Sequence, residues 1–207
     1  MKEDLTGVTP VTRKLIKPAA QTLAKAFQEY PVSVFLEPDA ARRRKEQPRI
    51  FRDLIKNNLD KGTIYGTSPG MEGVAVWFLV DKNYEASPPR RTLGEWLRSL
   101  REDKVKAQKR QAFFEFSRDI RKRVLPDKYW YLQLLAVEPA NQGKSFASKL
   151  MKPMLELAEK QGLPCFLETQ SQRNVSLYGH YGFVIVEEGT VPMGDVYSWA
   201  MLKTPGK

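Results

Sequence analysis

One apolar stretch, Tyr129 to Val137, constrains the fold of this chain more than any other feature. Its aromatic and leucine residues predict a buried β-strand, which ends at Glu138-Pro139. The polar loop Ala140–Lys144 follows, and a helix with apolar residues at helical spacing begins near Phe146. Because a buried strand leading into such a helix needs a sheet covered by helices, this feature predicts an α/β fold.

Strands and helices alternate along the rest of the chain, which we interpret as one domain spanning residues 1–207. Apolar runs and turn residues predict further strands over 7–13, 63–66, 74–80, 166–169, 183–187 and 196–202. Apolar spacing predicts helices over 18–30, 39–58, within 90–128, from 146 to a stop at Gly162, and over 174–181. Pro31 is expected to end the first helix, and Asn174 is expected to cap the last one.

Cysteine and histidine, which often act in catalysis or bind metals, are nearly absent. The chain has one cysteine, Cys165, and one histidine, His180. This excludes a disulfide framework, a cysteine-based zinc cluster and a multi-histidine metal site, so no metal is expected. No apolar run approaches the roughly 20 residues of a membrane-spanning helix, and Met1–Leu5 is charged with no apolar stretch behind it. We therefore expect a cytoplasmic protein with no membrane partner.

The net charge of +10 is concentrated in one segment. Residues 90–128 carry 13 Lys or Arg against 6 Asp or Glu, an excess of seven positive charges. Apolar residues share a face over Leu93–Leu100 and again over Phe113–Val124, which predicts two amphipathic helices with solvated basic faces. A nucleic-acid surface is the alternative, but the aromatic residues lie at core spacing and no nucleic acid is expected. A third interpretation is that basic residues face an anionic ligand such as a nucleotide cofactor.

The loop Gln142–Ala147 has the features of a phosphate-binding site. Small residues let backbone N–H groups converge, and the following helix adds the positive end of its dipole. Lys144 contributes a point charge. The glycine spacing fits neither the nucleoside-triphosphate loop nor the dinucleotide fingerprint, so these residues alone leave the ligand open.

Two motifs in this order resemble those of the GNAT N-acetyltransferases. The segment 135–139 followed by Gln142-Gly143-Lys144-Ser145-Phe146-Ala147 is similar to the acetyl-CoA motif of that family. The residues Asn174, Leu177-Tyr178 and Gly182-Phe183 are similar to its second motif. Ser145 departs from the pattern, because most members have glycine there. Segments between Arg13 and Lys203 further resemble the puromycin-acetylating branch of the family.

The resemblance implies a mixed sheet that splays between the strands 129–137 and 165–169, with a helical insertion before the fourth strand. Acetyl-CoA would be the cosubstrate in that gap, with its pantetheine arm along one strand and its pyrophosphate on the loop. The residues implied to hold it are Leu135, Ala136, Val137, Gln142, Gly143, Lys144, Ser145, Phe146, Ala147, Asn174 and Tyr178.

The resemblance also suggests catalytic roles. Tyr178 is the expected general acid for the CoA thiolate, since a phenol has a pKa matched to a thiol. Glu168 is the candidate general base and substrate contact, and Tyr30 is expected to line the acceptor pocket. Each has a structural alternative: a packing tyrosine for Tyr178 and Tyr30, and an ion-paired carboxylate for Glu168.

The acceptor stays open at this point. A primary amine of a small molecule, including an antibiotic-like one, is the first interpretation. The alternatives are a protein or peptide amine, with the basic segment 90–128 as a docking surface, and a non-catalytic module that binds nucleic acid through that segment. A homodimer is a possible assembly.

Overall fold

The computed structural model describes residues 5–81 and 103–206, in which seven strands form one sheet. The strands are β1 (Thr9–Pro10), β2 (Thr63–Gly66), β3 (Gly73–Asp81), β4 (Lys128–Val137), β5 (Cys165–Thr169), β6 (Val184–Thr190) and β7 (Tyr197–Lys203). Their order across the sheet is β1-β2-β3-β4-β5-β7-β6. Every pair is antiparallel except β4 and β5, which are parallel. The predicted α/β fold with a mixed sheet is therefore confirmed.

The described part of the chain contains six α-helices. They are α1 (Ile16–Ala26), α2 (Pro31–Leu36), α3 (Ala40–Asn58), α4 (Lys104–Val124), α5 (Phe146–Lys160) and α6 (Gln172–Gly179). The helix α4 confirms the second amphipathic helix predicted before the fourth strand. The first, predicted around Leu93–Leu100, lies outside the described residues.

Three local predictions were wrong. The strand expected over 7–13 is only the two residues of β1, and Arg13–Leu15 form a 3-10 turn. Pro31 begins α2 rather than ending a helix, because its fixed φ and missing N–H suit the first helical turn. The N-cap of α6 is Ser171, so Asn174 lies inside that helix.

Helices pack on both faces of the sheet. On one face, Leu23 of α1 and Ile55 of α3 are fully buried against the middle of β3. Farther along the same face, Ile120 of α4 packs on β5. Side chains alternate along β3, so Phe78 and Val80 point to the same face. Phe78 contacts the residues around Leu23, and Val80 contacts the residues around Ile120, so both groups of residues lie on that face. The opposite face is covered by α5, with buried Leu150, Met151 and Met154, and by Tyr178 of α6.

The sheet opens between β4 and β5. These strands are paired only where Trp130–Leu132 meets Cys165–Leu167. Beyond that point β4 continues beside β3 alone, after a bulge that leaves Gln133 without a cross-strand partner. The edge of β4 from Leu134 to Val137 therefore faces a gap, and the predicted splay is confirmed.

Candidate active site

A cleft of about 940 Å³ occupies the gap between β4 and β5. Its walls come from both faces of the sheet: the end of α1, the start of α2 and the middle of α4 on one side, and the start of α5 and α6 on the other. Splayed strands expose backbone polar groups to a ligand, so this cleft is the candidate site for the predicted chemistry.

Most of the predicted donor-binding residues line this cleft. They are Leu135, Val137, Gln142, Gly143, Ser145, Phe146, Ala147, Asn174 and Tyr178. Two others are placed elsewhere: Ala136 is buried against the α1–α3 side of the sheet, and the Lys144 ammonium donates to Asn141 Oδ1 at 3.0 Å. Tyr30 and Glu168, predicted on the acceptor side, also line the cleft.

The loop before α5 presents backbone amides to the cleft. The Gln142 amide is bonded to the Pro139 carbonyl, whereas the amides of Gly143–Ala147 bond to no other described loop or strand. The first turn of α5 has no acidic residue, so the positive end of its dipole is uncompensated there. Free amides and a helix N-terminus together suit the phosphates of a ligand.

Two residues of this loop have left-handed backbone. Gly143 has a φ of 80° and Ser145 a φ of 60°. Glycine adopts this region freely, whereas a residue with a Cβ pays about 1–2 kcal/mol. The left-handed backbone at position 145 thus explains why the motif usually has glycine there. Ser145 keeps the loop geometry at that cost. As the N-cap of α5, Ser145 makes no side-chain capping bond.

Tyr178 is buried, yet its ring reaches the cleft. It packs against Phe183, with ring centroids 6.0 Å apart. No described residue makes a hydrogen bond to its hydroxyl, and the phenols of Tyr30 and Tyr181 interact with it electrostatically. Burial, with smaller contributions from those phenols, raises the pKa of Tyr178 well above its ordinary value. The hydroxyl therefore stays protonated at neutral pH and is available to a ligand.

Tyr30 joins the α1–α2 connection to the end of β5. Its hydroxyl lies 2.9 Å from Thr169 Oγ1 and accepts a hydrogen bond of 2.9 Å from the Gln170 amide. Its ring packs on Phe27 at 5.0 Å. Burial raises the pKa of Tyr30, although these hydrogen bonds oppose the shift. Tyr30 thus combines the predicted lining role with a structural one.

Glu168 lies on the other face of the sheet from Tyr178. Side chains alternate along β5, so Leu167 faces α5 while Phe166 and Glu168 face α4. Arg121 of α4 donates to Glu168 Oε2 at 2.8 Å, and the Tyr131 hydroxyl donates to the same oxygen at 3.2 Å. The cleft therefore has a phenol on one side of the gap and a carboxylate on the other.

The second oxygen of Glu168 has no partner. The Glu168 side chain is 6% exposed, and Oε1 is buried without a hydrogen bond in the described part of the chain. The adjacent Ser117 hydroxyl is also buried and makes no bond of hydrogen-bond geometry there. Burial raises the pKa of Glu168, and the nearby Arg121 guanidinium and the Ser117 and Tyr131 hydroxyls partly lower it. The carboxylate of Glu168 therefore has a guanidinium and two hydroxyls around it, in a residue that lines the cleft.

Sequence reasoning missed the surroundings of these groups. It did not identify Arg121 and Tyr131 as partners of Glu168, or Gln170 as a contact of Tyr30. It indicated that Phe113 is a core residue, and Phe113 does pack on a small core with Phe35, but Phe113 and Phe114 also line the cleft. The helical spacing of Phe113 with Ile120 indicated a buried stripe, but no local pattern shows that the stripe ends at a cleft.

No helix in 5–81 or 103–206 is long and apolar enough to cross a membrane. Within the same ranges, no three His, Cys, Asp or Glu side chains are grouped as metal ligands would be.

Comparisons with known proteins agree with this geometry. Residues 107–183 match the model of the acetyltransferase (GNAT) family. An uncharacterised N-acetyltransferase of Schizosaccharomyces pombe is 28% identical over 189 residues, which cover 84% of this chain and 72% of the relative. The narrower resemblance to the puromycin-acetylating branch is not confirmed by these matches.

Solved structures share the fold. A histone acetyltransferase-related acetyltransferase from Corynebacterium glutamicum has a TM-score of 0.65 at 21% identity, with 97% of this chain and 96% of that chain covered. An arylalkylamine N-acetyltransferase from Aedes aegypti has a TM-score of 0.67 at 15% identity, with 95% and 97% covered. At these sequence identities, the similarity shows a shared fold and nothing more.

The cleft also fits acetyl-CoA, the acyl donor of this family. The unpaired edge of β4 from Leu134 to Val137 offers peptide groups to the amide-bearing pantetheine arm, as an added strand would require. The amides of Gly143–Ala147 suit its pyrophosphate. Sequence motifs, the match to the acetyltransferase (GNAT) family model and the cleft thus support the assignment of this chain as a GNAT superfamily N-acetyltransferase that depends on acetyl-CoA.

Proposed function

We propose that this protein transfers the acetyl group of acetyl-CoA to the primary amine of a small molecule, with Tyr178 as general acid and Glu168 as general base. The observation that supports this most is a phenol and a carboxylate that line one cleft from opposite faces of the sheet: Tyr178 on the α5 side of the gap and Glu168 on the α4 side. Acetyl transfer needs one proton delivered and one removed, and these groups suit the two tasks.

On the donor side, the chain binds and orients. The backbone of Leu135 and Val137 pairs with the pantetheine arm, and residues 142–147 hold the pyrophosphate. A backbone amide of β4 near Leu135 is the donor to the oxyanion that develops on the thioester carbonyl. Asn174, inside α6 and lining the cleft, orients the donor beside Tyr178.

Tyr178 supplies the proton for the leaving sulfur. The reaction forms an N–C bond and breaks the C–S bond, so the departing thiolate needs one proton. The raised pKa keeps the phenol protonated until a strong base forms next to it. Its hydroxyl has no competing partner in the described chain, so it is free to donate.

Glu168 removes the proton that the amine must lose. Attack requires a neutral nitrogen, and burial raises the pKa of Glu168 toward the range useful for a base near neutral pH. Arg121 opposes that shift and holds Oε2, which keeps the carboxylate ionised. Arg121 thus acts as a positioning residue.

A small acceptor suits the acceptor half of the cleft. That half is bounded by apolar side chains from three helices: Phe27 at the end of α1, Val32 in α2, and Phe113 and Phe114 in α4. Walls on several sides favour a compact molecule over an extended backbone. A peptide amine is the competing acceptor, and a peptide belongs in the assay for that reason.

The test is acetyl-CoA-dependent thiol release with a panel of small amines and one peptide with a free N-terminus. We expect turnover with small amines. Tyr178→Phe should lower kcat at least tenfold while acetyl-CoA affinity changes less than threefold, as expected for a group that acts in the transition state. Activity on the peptide alone would contradict the small-molecule assignment.

Tyr65→Phe is the matched control. The Tyr65 hydroxyl is also buried, but it donates to the Leu150 carbonyl and does not line the cleft. This variant should lose stability and keep its kcat when folded, whereas Tyr178→Phe should keep stability and lose kcat. An unchanged kcat in Tyr178→Phe removes Tyr178 from its role.

A further inference from the structure

An exposed aromatic side chain stands at the acceptor end of the cleft. Phe114 of α4 is 57% exposed and lines the cleft. Its neighbour Phe113 contacts it edge-on, with centroids 5.8 Å apart and an interplanar angle of 64°. Phe113 packs in turn on a small core with Phe35 and Val196. The Phe113 ring is thus held by the core, and the Phe114 ring is exposed to the cleft.

A second aromatic side chain lines the same cleft. Phe27 is held by two rings, Tyr30 at 5.0 Å and Phe51 at 5.6 Å. Val32 at the start of α2 also lines the cleft. A ring fixed by its neighbours loses little entropy when it contacts a ligand, so this part of the cleft is suited to a flat apolar group.

The charges in this cleft allow one amine nitrogen and no second cation. Among the described lining residues the charged side chains are Glu168 and Arg173. Arg173 belongs to α6, on the donor side, so Glu168 is the sole carboxylate among the described residues of the acceptor half. Arg121 offsets its charge. A second ammonium would be desolvated there without a partner, which is costly.

We infer that the acceptor is a monoamine with an aromatic or similarly flat apolar group, and that Phe114 determines this specificity. The inference rests on the proposed function and adds its substrate class. The ring lies between Phe114 and Phe27, and the amine donates to the Glu168 carboxylate. Polyamines and short aliphatic amines fit the same cleft poorly, because they lack the ring or carry a second charge.

The experiment compares kcat/KM for 2-phenylethylamine, butylamine and 1,4-diaminobutane in the wild-type protein and in Phe114→Ala. The wild type should prefer 2-phenylethylamine to butylamine by about tenfold or more, as expected for loss of a well-packed apolar group. Phe114→Ala should reduce that ratio about fivefold and leave the KM for acetyl-CoA unchanged. Because Phe114 is exposed, its truncation opens no cavity in the core.

Val105→Ala is the matched control, since Val105 is an exposed apolar residue of the same helix that does not line the cleft. Its amine preference should equal that of the wild type. Equal turnover of all three amines, preference for 1,4-diaminobutane, or an unchanged ratio in Phe114→Ala overturns the inference and leaves the proposed function standing. No thiol release with any small amine overturns both.

Discussion

The Arg121 guanidinium lies 2.8 Å from Glu168 Oε2 and over the ring of Tyr131, 5.4 Å from its centroid. A residue of the basic helix α4 thereby holds the carboxylate of the neighbouring strand. The pair is mostly shielded from water, so its charges act on each other more strongly than those of a surface ion pair. The basic segment of this chain therefore reaches the candidate active site through one of its arginines.

The pH dependence of kcat/KM follows from this pair. Burial raises the pKa of Glu168, and below that pKa the protonated carboxyl cannot accept a proton. Activity should therefore rise with pH through an acidic limb that lies above the ordinary pKa of glutamate. Arg121 lowers the pKa of Glu168, so Arg121→Gln should move this limb to higher pH. Profiles of kcat/KM against pH give the measurement.

Two variants complete that experiment. Glu168→Gln should lower kcat/KM and abolish the limb. Arg123→Gln is the control, because Arg123 lies on the same helix but pairs with Glu187, an ion pair at the surface. Its profile should match the wild type. If the acidic limb stays in place in Arg121→Gln, or is still present in Glu168→Gln, the ionisation that it reports belongs to a group other than Glu168.

The loop before α5 should respond oppositely to two substitutions. A Cβ at Gly143 would meet nothing within 4 Å, so Gly143→Ala isolates the cost of left-handed backbone, about 1 kcal/mol. Ser145 already bears that cost, so Ser145→Gly should stabilise the fold by about 0.5–1 kcal/mol after the added chain entropy of glycine. Urea unfolding measures both. Changes of the same sign would contradict this account of the loop.

Arg43 should be a major contributor to the stability of the acceptor wall. This side chain of α3 is 3% exposed and donates to the carbonyls of Gln28, Glu37 and Pro38. It also forms an ion pair with Glu29 at 3.0 Å. These contacts fix both ends of the segment 28–38, which carries Tyr30 and Val32.

Arg43→Met should lower the free energy of unfolding by about 3 kcal/mol, because three part-buried carbonyls lose a charged, buried donor. The control is Arg44→Met, since Arg44 is the exposed neighbour on the same helix. It should remain within about 0.5 kcal/mol of the wild type in urea unfolding. Equal effects of the two variants would show that the Arg43 contacts do not stabilise this segment.

Tyr30→Phe should destabilise the protein by about 1–3 kcal/mol, because the Gln170 amide and the Thr169 hydroxyl lose a partner. Urea unfolding again gives the measurement. Tyr197→Phe is the comparison, because Tyr197 is exposed on β7 and should tolerate the change. Indistinguishable unfolding curves for wild type and Tyr30→Phe would leave Tyr30 with a lining role alone.

The strands that frame the cleft could be predicted because their signals are local. A continuous apolar run such as 129–137 and a loop of small residues before a helix are visible in the sequence without tertiary information. The loop residues Gln142, Gly143 and Ser145 lie where the motif placed them, at the wall of the cleft. Side-chain placement of Lys144 and Ala136 was less predictable, since it depends on which neighbour each meets.

What the sequence could not reveal depends on distant contacts. Arg121 and Glu168 are 47 residues apart, and Tyr30 and Gln170 are 140 apart. Nothing in the local pattern of a basic helix distinguishes the one arginine that reaches a strand from its solvated neighbours. The start of α2 at Pro31 was missed for a different reason, because proline both ends helices and suits their first turn.

A crystal structure of the protein with CoA bound would show directly whether the cleft is the donor site. We expect the pantetheine arm along Leu135–Val137 in the gap between β4 and β5, and the pyrophosphate on the amides of Gly143–Ala147. The sulfur should lie within about 4 Å of the Tyr178 hydroxyl, close enough to receive its proton. CoA bound outside the gap, or a sulfur remote from Tyr178, would contradict this expectation.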